Sequence, residues 1–328
     1  MAKTHITESM VPRGRRGDQR DTSSDRYEVT TTTAYDESGV QMKLHLGRTT
    51  LEDHQFAVMA IVNRTPDSFF DDGATYALGA ALDRVDAVVS EGASIVDVGG
   101  VRAGNGGFVD VGEELRRTAD LVSAIRSRHP DLVISVDTWR AEVARELCER
   151  GADLINDTWA GHDPEVAVIA AEFDVGLVCS HTGGLEPRTD LHRVAYDDVV
   201  ADVIATVTRL AERAVSLGVR RNAILVDPTH DFGKNTWHSL ELTRRLDELV
   251  ATGWPVLVAL SNKDFIGETL DLPTADRLVG TLAATAVSAW QGARVFRAHH
   301  VRETKQVLDM VASIAGHRPP AVARRGLA

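Results

Sequence analysis

Eight times along this chain, an apolar run of four to six residues is followed by a small or polar break and then an amphipathic stretch. The runs are AVMAIV (57–62), SIVDV (94–98), LVISV (132–136), DLIN (153–156), VGLVC (175–179), AILVD (223–227), PVLVAL (255–260) and RVFRA (294–298). A short run without alternation suits a strand buried on both faces, as in a parallel sheet covered by helices. The intervening stretches 77–91, 112–128, 139–150, 163–172, 196–217, 237–251, 274–291 and 301–315 read as helices. Asp163 before Pro164, and Thr274 before 275–278, are good helix starts; Gly151, Gly218 and Gly292 are good stops. Eight strand–helix units predict an α/β fold, a (β/α)8 TIM barrel, with an open doubly wound sheet as the alternative. The length of 328 residues accommodates a barrel of roughly 250 residues with tails to spare.

The ends of the chain lie outside this rhythm. Residues 1–41 are polar, Ser/Thr-rich and aperiodic and are expected to form a disordered tail; Met42 stands where an alternative start would fall. MKLHLGRTTLEDH, centred on Gly47, predicts a hairpin. The expected organisation is a tail (1–41), one barrel (42–316) and a C-terminal tail (317–328). A formal net charge of −12 argues against nonspecific binding to nucleic acid or to an anionic membrane, though not against a small anionic ligand. No apolar run approaches the roughly 18 residues of a membrane span, and the N-terminus lacks the apolar segment of a secretory signal. Two cysteines, Cys148 and Cys179, make neither a disulfide framework nor a zinc site and read as buried thiols of a cytoplasmic protein.

A parallel barrel carries its site at the C-terminal ends of its strands. Those positions hold Asn63, Asp97, Asp137, Asn156, His181, Asp227, the triplet Ser261-Asn262-Lys263, and Arg297 with His299. A single Asp there is ordinarily a turn or helix cap. A polar group at every end is a different matter, and capping does not account for Lys263, Arg297 or His299. Asp137, Asn156 and Asp227 suit a flat heterocycle with adjacent N–H donors, such as the 2-amino-4-oxo edge of a pterin or guanine. Arg297, His299 and the Asn63 amide form a second cluster suited to phosphate oxygens or a hydrated Mg²⁺. Lys263 reads as a Schiff-base nucleophile or as a charged hydrogen-bond donor, and its carboxylate company favours the donor. The glycines at 99–100 and 104–107 precede no Lys-Ser/Thr pair and do not make a P-loop.

AIVNRTPDSFFDDG (60–73), DVGG, SVDTW, LINDTWAG, DPTHDFGKN, ALSNKDFIGET and FRAHHVRET, in this order, resemble the motif series of dihydropteroate synthase over about residues 42–315. The resemblance implies a pterin-binding TIM barrel of folate biosynthesis. In that family the amine of 4-aminobenzoate attacks the methylene of 6-hydroxymethyl-7,8-dihydropterin diphosphate, giving dihydropteroate and displacing pyrophosphate, with Mg²⁺ neutralising the phosphates. Carried over, Asp137, Asn156, Asp227 and Lys263 become pterin contacts. Asn63, Arg297 and His299 become diphosphate contacts, with Asn63 on the metal, and Lys263, Arg297 and His299 are the catalytic set. Loop 64–75 becomes the first mobile loop, and a homodimer through the last helices is implied. From pattern alone, helix 274–291, dense in small apolar residues, reads as core packing.

The departures fall on the acceptor half. Where the family has Gly-Gly-Glu-Ser-Thr-Arg-Pro, this chain has Gly99-Gly100-Val101-Arg102-Ala103-Gly104-Asn105, so a hydroxyl and a guanidinium are replaced by Ala103 and Gly104. Arg102, two positions early, is within reach of the same space. Ser-Arg-Lys-Ser has become Ser261-Asn262-Lys263-Asp264, and Gly-Phe-Gly-Phe-Gly-Lys has become Thr229-His230-Asp231-Phe232-Gly233-Lys234, so His230 and Asp231 are expected to enter an apolar slot. A common His-Met is His181-Thr182. Losing one transition-state donor can cost about 3–4 kcal/mol. The expectation is a divergent second paralogue, a synthase of reduced activity, with an inactive or acceptor-switched pterin binder as the alternative. A methyltetrahydrofolate-binding methyltransferase is disfavoured, because the Asn63-x-Thr65-Pro66 motif and the Arg297-x-His299 pair answer a diphosphate.

Overall fold

The structure, a computed structural model, describes residues 43–65, 77–102, 104, 107–189 and 195–325. A hairpin of β1 (Leu44–Leu46) and β2 (Thr49–Leu51) precedes eight strands: β3 (Ala57–Asn63), β4 (Ile95–Gly99), β5 (Val133–Asp137), β6 (Leu154–Asp157), β7 (Gly176–Ser180), β8 (Ile224–Asp227), β9 (Leu257–Val258) and β10 (Val295–Ala298). Their ladders are all parallel, in the order β8-β7-β6-β5-β4-β3-β10-β9, and a bridge from Val226 to Val256 joins the two ends. The helices are α1 (Leu78–Ser90), α2 (Val111–Arg128), α3 (Ala141–Glu149), α4 (Glu165–Glu172), α5 (Val199–Ser216), α6 (Thr236–Arg244), α7 (Leu246–Val250), α8 (Asp264–Leu270), α9 (Leu278–Trp290) and α10 (Val301–Ile314). This is the eightfold (β/α)8 barrel that the repeating pattern predicts.

Two apolar layers hold it together. Val58, Val96, Ile134, Val136 and Val226 face outward against the helices, alongside Val85, Val122, Leu147 and Val203. Ala57, Ile95, Val133, Leu154, Leu257 and Val295 open their strands and pack with Leu44, Leu46 and Leu51 of the hairpin. The hairpin therefore stoppers the N-terminal end of the barrel, each buried leucine contributing about 1.5–3 kcal/mol. Its tip requires Gly47: φ is +52°, and a Cβ there would come 2.3 Å from Asp153 Oδ1. Buried Arg294 donates to the carbonyls of Leu51 and Glu52, tying the hairpin's exit to β10. With that end sealed, the opposite end is the mouth.

The helices differ from expectation in three places. The stretch 237–251 is two helices, broken at Arg245 (φ −109°, ψ 26°). The stretch 274–291 begins with a 3₁₀ turn, Thr274–Asp276, before α9. An additional helix, α8, follows β9, in a segment whose seven residues are too few to show a period. The expected tail 1–41, Met42 and most of loop 64–75 lie outside the described residues.

Candidate functional site

At the mouth, the outermost residues of the strands and the loops beyond them enclose a cavity of about 410 Å³. Asn63, Asp137, Asn156, Asp227, Lys263, Arg297 and His299 all line it. Parallel register explains the meeting: Asn63 pairs with Gly99, Gly99 with Asp137, and Asp137 with Asn156, so successive strand ends arrive at one level. Gly99 has no side chain to obstruct its neighbour; a Cβ there would lie 2.8 Å from Asn63 Oδ1.

Beneath the cavity lies a charged network that strand-end reading did not assign. Asp97, fully buried, accepts hydrogen bonds from Ser135 Oγ at 2.6 Å, Asn156 Nδ2 at 3.2 Å and Arg297 Nε at 2.6 Å. Nη2 of the same guanidinium donates to Asp137 Oδ2 at 2.9 Å, and Thr158 Oγ1 donates to Asp137 Oδ1 at 2.9 Å. Arg297 thus bridges two carboxylates, and Asn156 is oriented by one of them. Burial pushes the Asp137 carboxyl up to about 7, with Arg297 opposing the shift and Asp97 adding to it. Burial likewise raises Asp227, against the pull of Lys263. His299 Nδ1 lies 3.0 Å from Ser261 Oγ; burial first, then the Arg297 charge, pulls its pKa down to about 3, so it is a neutral imidazole at pH 7.

The loop after β8 is held in an unusual conformation. Thr229, Asp231 and Gly233 all have positive φ (53°, 68° and 61°), and for β-branched Thr229 that is costly. Buried side chains hold it, two of them from the ends of the loop itself. Asp227 Oδ1 accepts from Thr229 N at 2.7 Å. Buried Lys234 donates to the carbonyls of His181, Thr229 and Phe232 at 3.0, 3.1 and 2.8 Å. The result presents Asp227 and Phe232 to the cavity beside Lys263, whose Nζ donates to the His230 carbonyl and sits 4.8 Å above the Phe232 ring. Phe232 continues into an edge-on aromatic stack with Trp159 and Trp139, joining three loops of the mouth.

Two expectations are corrected. His181 is fully buried but does not reach the cavity; its Nε2 lies 2.7 Å from Asp202 Oδ1 on α5. The His230 side chain does not enter the acceptor slot either: it packs on Phe265 at 5.6 Å, with Nε2 3.1 Å from Thr243 Oγ1, because left-handed residues on both sides of it turn it toward α6 and α8. Asp231 does line the cavity, held by Ser239 Oγ and Phe265 N. Of the second loop, Ala103 and Asn105 lie outside the described residues, while Arg102 and Gly104 line the cavity. Arg188 reaches across from the loop after β7 and donates to the Gly107 carbonyl at 2.8 Å. A further guanidinium, Arg277, enters the cavity wall from the turn before α9. No strand-end argument finds it; the available signal was an arginine placed 13 residues after Asp264, with which it pairs.

Comparison with known proteins places this architecture. Residues 59–299 match the family of pterin binding enzymes. A Mycobacterium leprae protein named inactive dihydropteroate synthase 2 is 58% identical over 286 residues, 86% of this chain and 98% of its own. Dihydropteroate synthase of Haemophilus influenzae is 36% identical over 270 residues, 82% of this chain and 98% of its own. The Yersinia pestis dihydropteroate synthase, solved with a sulfonamide drug complex, superposes with a TM-score of 0.79 at 34% identity, covering 84% of this chain and 100% of that one. The Xanthomonas albilineans enzyme with 4-aminobenzoic acid gives 0.76 at 33%, covering 87% and 100%. The barrel, its mouth and its relatives agree: the chain belongs to the dihydropteroate synthase family of pterin-binding enzymes, as a divergent paralogue.

Proposed function

We propose that the cavity takes 6-hydroxymethyl-7,8-dihydropterin diphosphate, and that the chain is a dihydropteroate synthase-like transferase with a lowered rate toward 4-aminobenzoate. The observation that carries this reading is that Asp137, Asn156, Asp227 and Lys263 share one cavity with Asn63, Arg297 and His299. A buried carboxylate facing two N–H donors rewards the 2-amino-4-oxo edge of a pterin and penalises a ring without it. In the reaction the amine nitrogen forms a bond to the exocyclic methylene, the C–O bond to diphosphate breaks, pyrophosphate leaves with the electron pair, and the nitrogen releases a proton.

The chain's own part is to orient the ring and stabilise charge. Lys263 donates along the pterin while Arg297 and neutral His299 face the leaving group. Arg297 shares its charge with Asp97 and Asp137, so it acts mainly as an oriented donor. Arg102 supplies a further guanidinium at the mouth. The Asn63 amide oxygen is a hard donor of the kind Mg²⁺ takes alongside phosphate oxygens and water. Among the described residues no group of three or more His, Cys, Asp or Glu forms a metal centre, which fits an ion held largely by its substrate. Bound there, Mg²⁺ would neutralise the departing diphosphate.

A second reading, a pterin binder that makes no dihydropteroate, is favoured by Gly104 in place of arginine and by the 58%-identical relative named inactive. Turnover of the purified protein with dihydropterin diphosphate, 4-aminobenzoate and Mg²⁺, beside a verified synthase, separates the two. Product within about tenfold of the control, a gap of ~1.4 kcal/mol in barrier, supports the transferase. Pterin binding without product supports the second reading, and no pterin binding overturns both. We further infer a homodimer working in the cytoplasm. Supporting this are exposed Val279, Val287 and Trp290 on α9 with Met310 and Ile314 on α10, and two buried free thiols, Cys148 and Cys179.

A further inference from the structure

The wall of the cavity between the loops after β8 and β9 carries an ion pair that bears on the second substrate. Arg277 Nη1 donates to Asp264 Oδ1 at 2.7 Å and to the Asn262 carbonyl at 3.0 Å, and Nε donates to the Leu272 carbonyl at 3.2 Å. The guanidinium lies flat on α8 over Gly267, where a Cβ would come within 2.3 Å of Nε. Its Nη1 and Nε are thus both engaged, with the side chain 13% exposed, while Asp264 is 65% exposed. Asp264, Arg277 and Asp231 line the same wall. The neighbouring cation, Lys263, is already directed at the His230 carbonyl. Neither atom of the Asn262 side-chain amide, 2% exposed in this wall, has a hydrogen-bond partner.

An aromatic acid entering along this wall finds the Arg277 guanidinium paired with a carboxylate of the chain itself, and meets the charge of Asp231 as well. Like charges at short range oppose such a ligand. A neutral carboxamide meets neither obstacle, and its N–H and C=O complement the unpartnered Asn262 amide. We propose that Asp264 determines acceptor specificity: it occupies Arg277 in cis, so the amine taken by this chain is a neutral aromatic amine bearing a carboxamide-type group and not an aromatic carboxylate. This rests on the pterin diphosphate occupying the other half of the cavity. The bond made and the group displaced are unchanged; only the far end of the acceptor differs.

The test is calorimetric titration of the full chain in two stages. The first loads 6-hydroxymethylpterin with pyrophosphate and Mg²⁺; failure of wild type to bind pterin would overturn the functional reading itself and this inference with it. The second titrates 4-aminobenzamide or 4-aminobenzoate into the loaded protein. Wild type is expected to bind the amide at least tenfold more tightly than the acid. D264N, which keeps the shape and removes the charge, and D264S are both expected to reverse the preference by restoring the acid, with pterin affinity unchanged. Wild type binding the acid as well as the amide, binding neither, or showing the same ratio as both variants overturns the proposal.

Discussion

Arg297 is the residue on which the site's electrostatics turn. Its Nε meets Asp97, which no solvent reaches, and its Nη2 meets Asp137 at the cavity surface. Asp137 nevertheless titrates near 7, because burial outweighs the guanidinium and Asp97 repels a second charge. The consequence for stability has a definite sign. A carboxyl whose folded pKa is raised contributes stability that is fully present below its unfolded pKa of about 3.9 and is lost as pH rises through the folded value near 7. Ligand binding runs the other way: pterin N–H donors favour the carboxylate, so affinity is expected to rise from pH 6 to pH 8. Asp137→Asn should flatten both profiles and weaken pterin binding at pH 8 by about tenfold or more, a hydrogen bond to a charged group being worth about 1.5–3 kcal/mol. Urea unfolding and pterin titration across that range check it; a variant with the wild-type slope would assign the proton to another group.

At the scale of elements, the strands were legible because a buried parallel strand writes itself as an unbroken apolar run, as in AVMAIV and LVISV. The loops were not, since their conformations come from contacts distant in sequence. His230 was expected in the acceptor slot on the strength of its neighbours, yet left-handed backbone at Thr229 and Asp231 turns its ring away. Arg277 is not legible in the sequence because it belongs to a turn before α9 and meets Asp264 across the intervening α8. That the seven strand-end candidates share one cavity was legible because a barrel places strand ends at one level, whereas the Asp97 network beneath them depends on which way each side chain turns. Lys234 shows how one such loop is held: its ammonium serves three buried carbonyls from two loops. Each carbonyl left without a donor costs about 1–3 kcal/mol, so Lys234→Met should lower unfolding stability by about 2–3 kcal/mol or more. The change should also weaken pterin binding, because Thr229 N positions the Asp227 carboxylate. Chemical denaturation and pterin titration of the same variant read both effects; unchanged midpoints would mean the strained loop is held by its other contacts, with Asp227, Tyr196 and Ser239.

Across the whole molecule the two ends of the barrel divide the work: the hairpin leucines stopper one end, and the other keeps an open cavity. The outer surface is less evenly finished. Helices α9 and α10 pack side by side and expose Trp290 (64%), Val279 (78%), Met310 (61%) and Ile314 (60%), whereas the faces turned inward bury Thr281, Thr285, Leu308 and Val311. From its sequence helix 274–291 reads as core packing or a subunit contact; one face does pack inward, while a stripe spaced 279, 287, 290 repeats near the helical period on the solvent side. A surface carrying an overall charge of −12 resists nonspecific association, so an apolar face on it is selective for a partner that covers it well. In the homodimer proposed above, a second copy would do so by twofold symmetry, each α9–α10 pair meeting its counterpart. The double variant Val279→Glu with Trp290→Glu places four like charges across such a face, two from each copy. Sedimentation at micromolar concentration should show wild type as a dimer and the variant as a folded monomer, with circular dichroism unchanged. Because the mouth lies at the strand ends and this face on the outer helices, pterin affinity is expected to survive the change; a monomeric wild type would leave the face to a different partner.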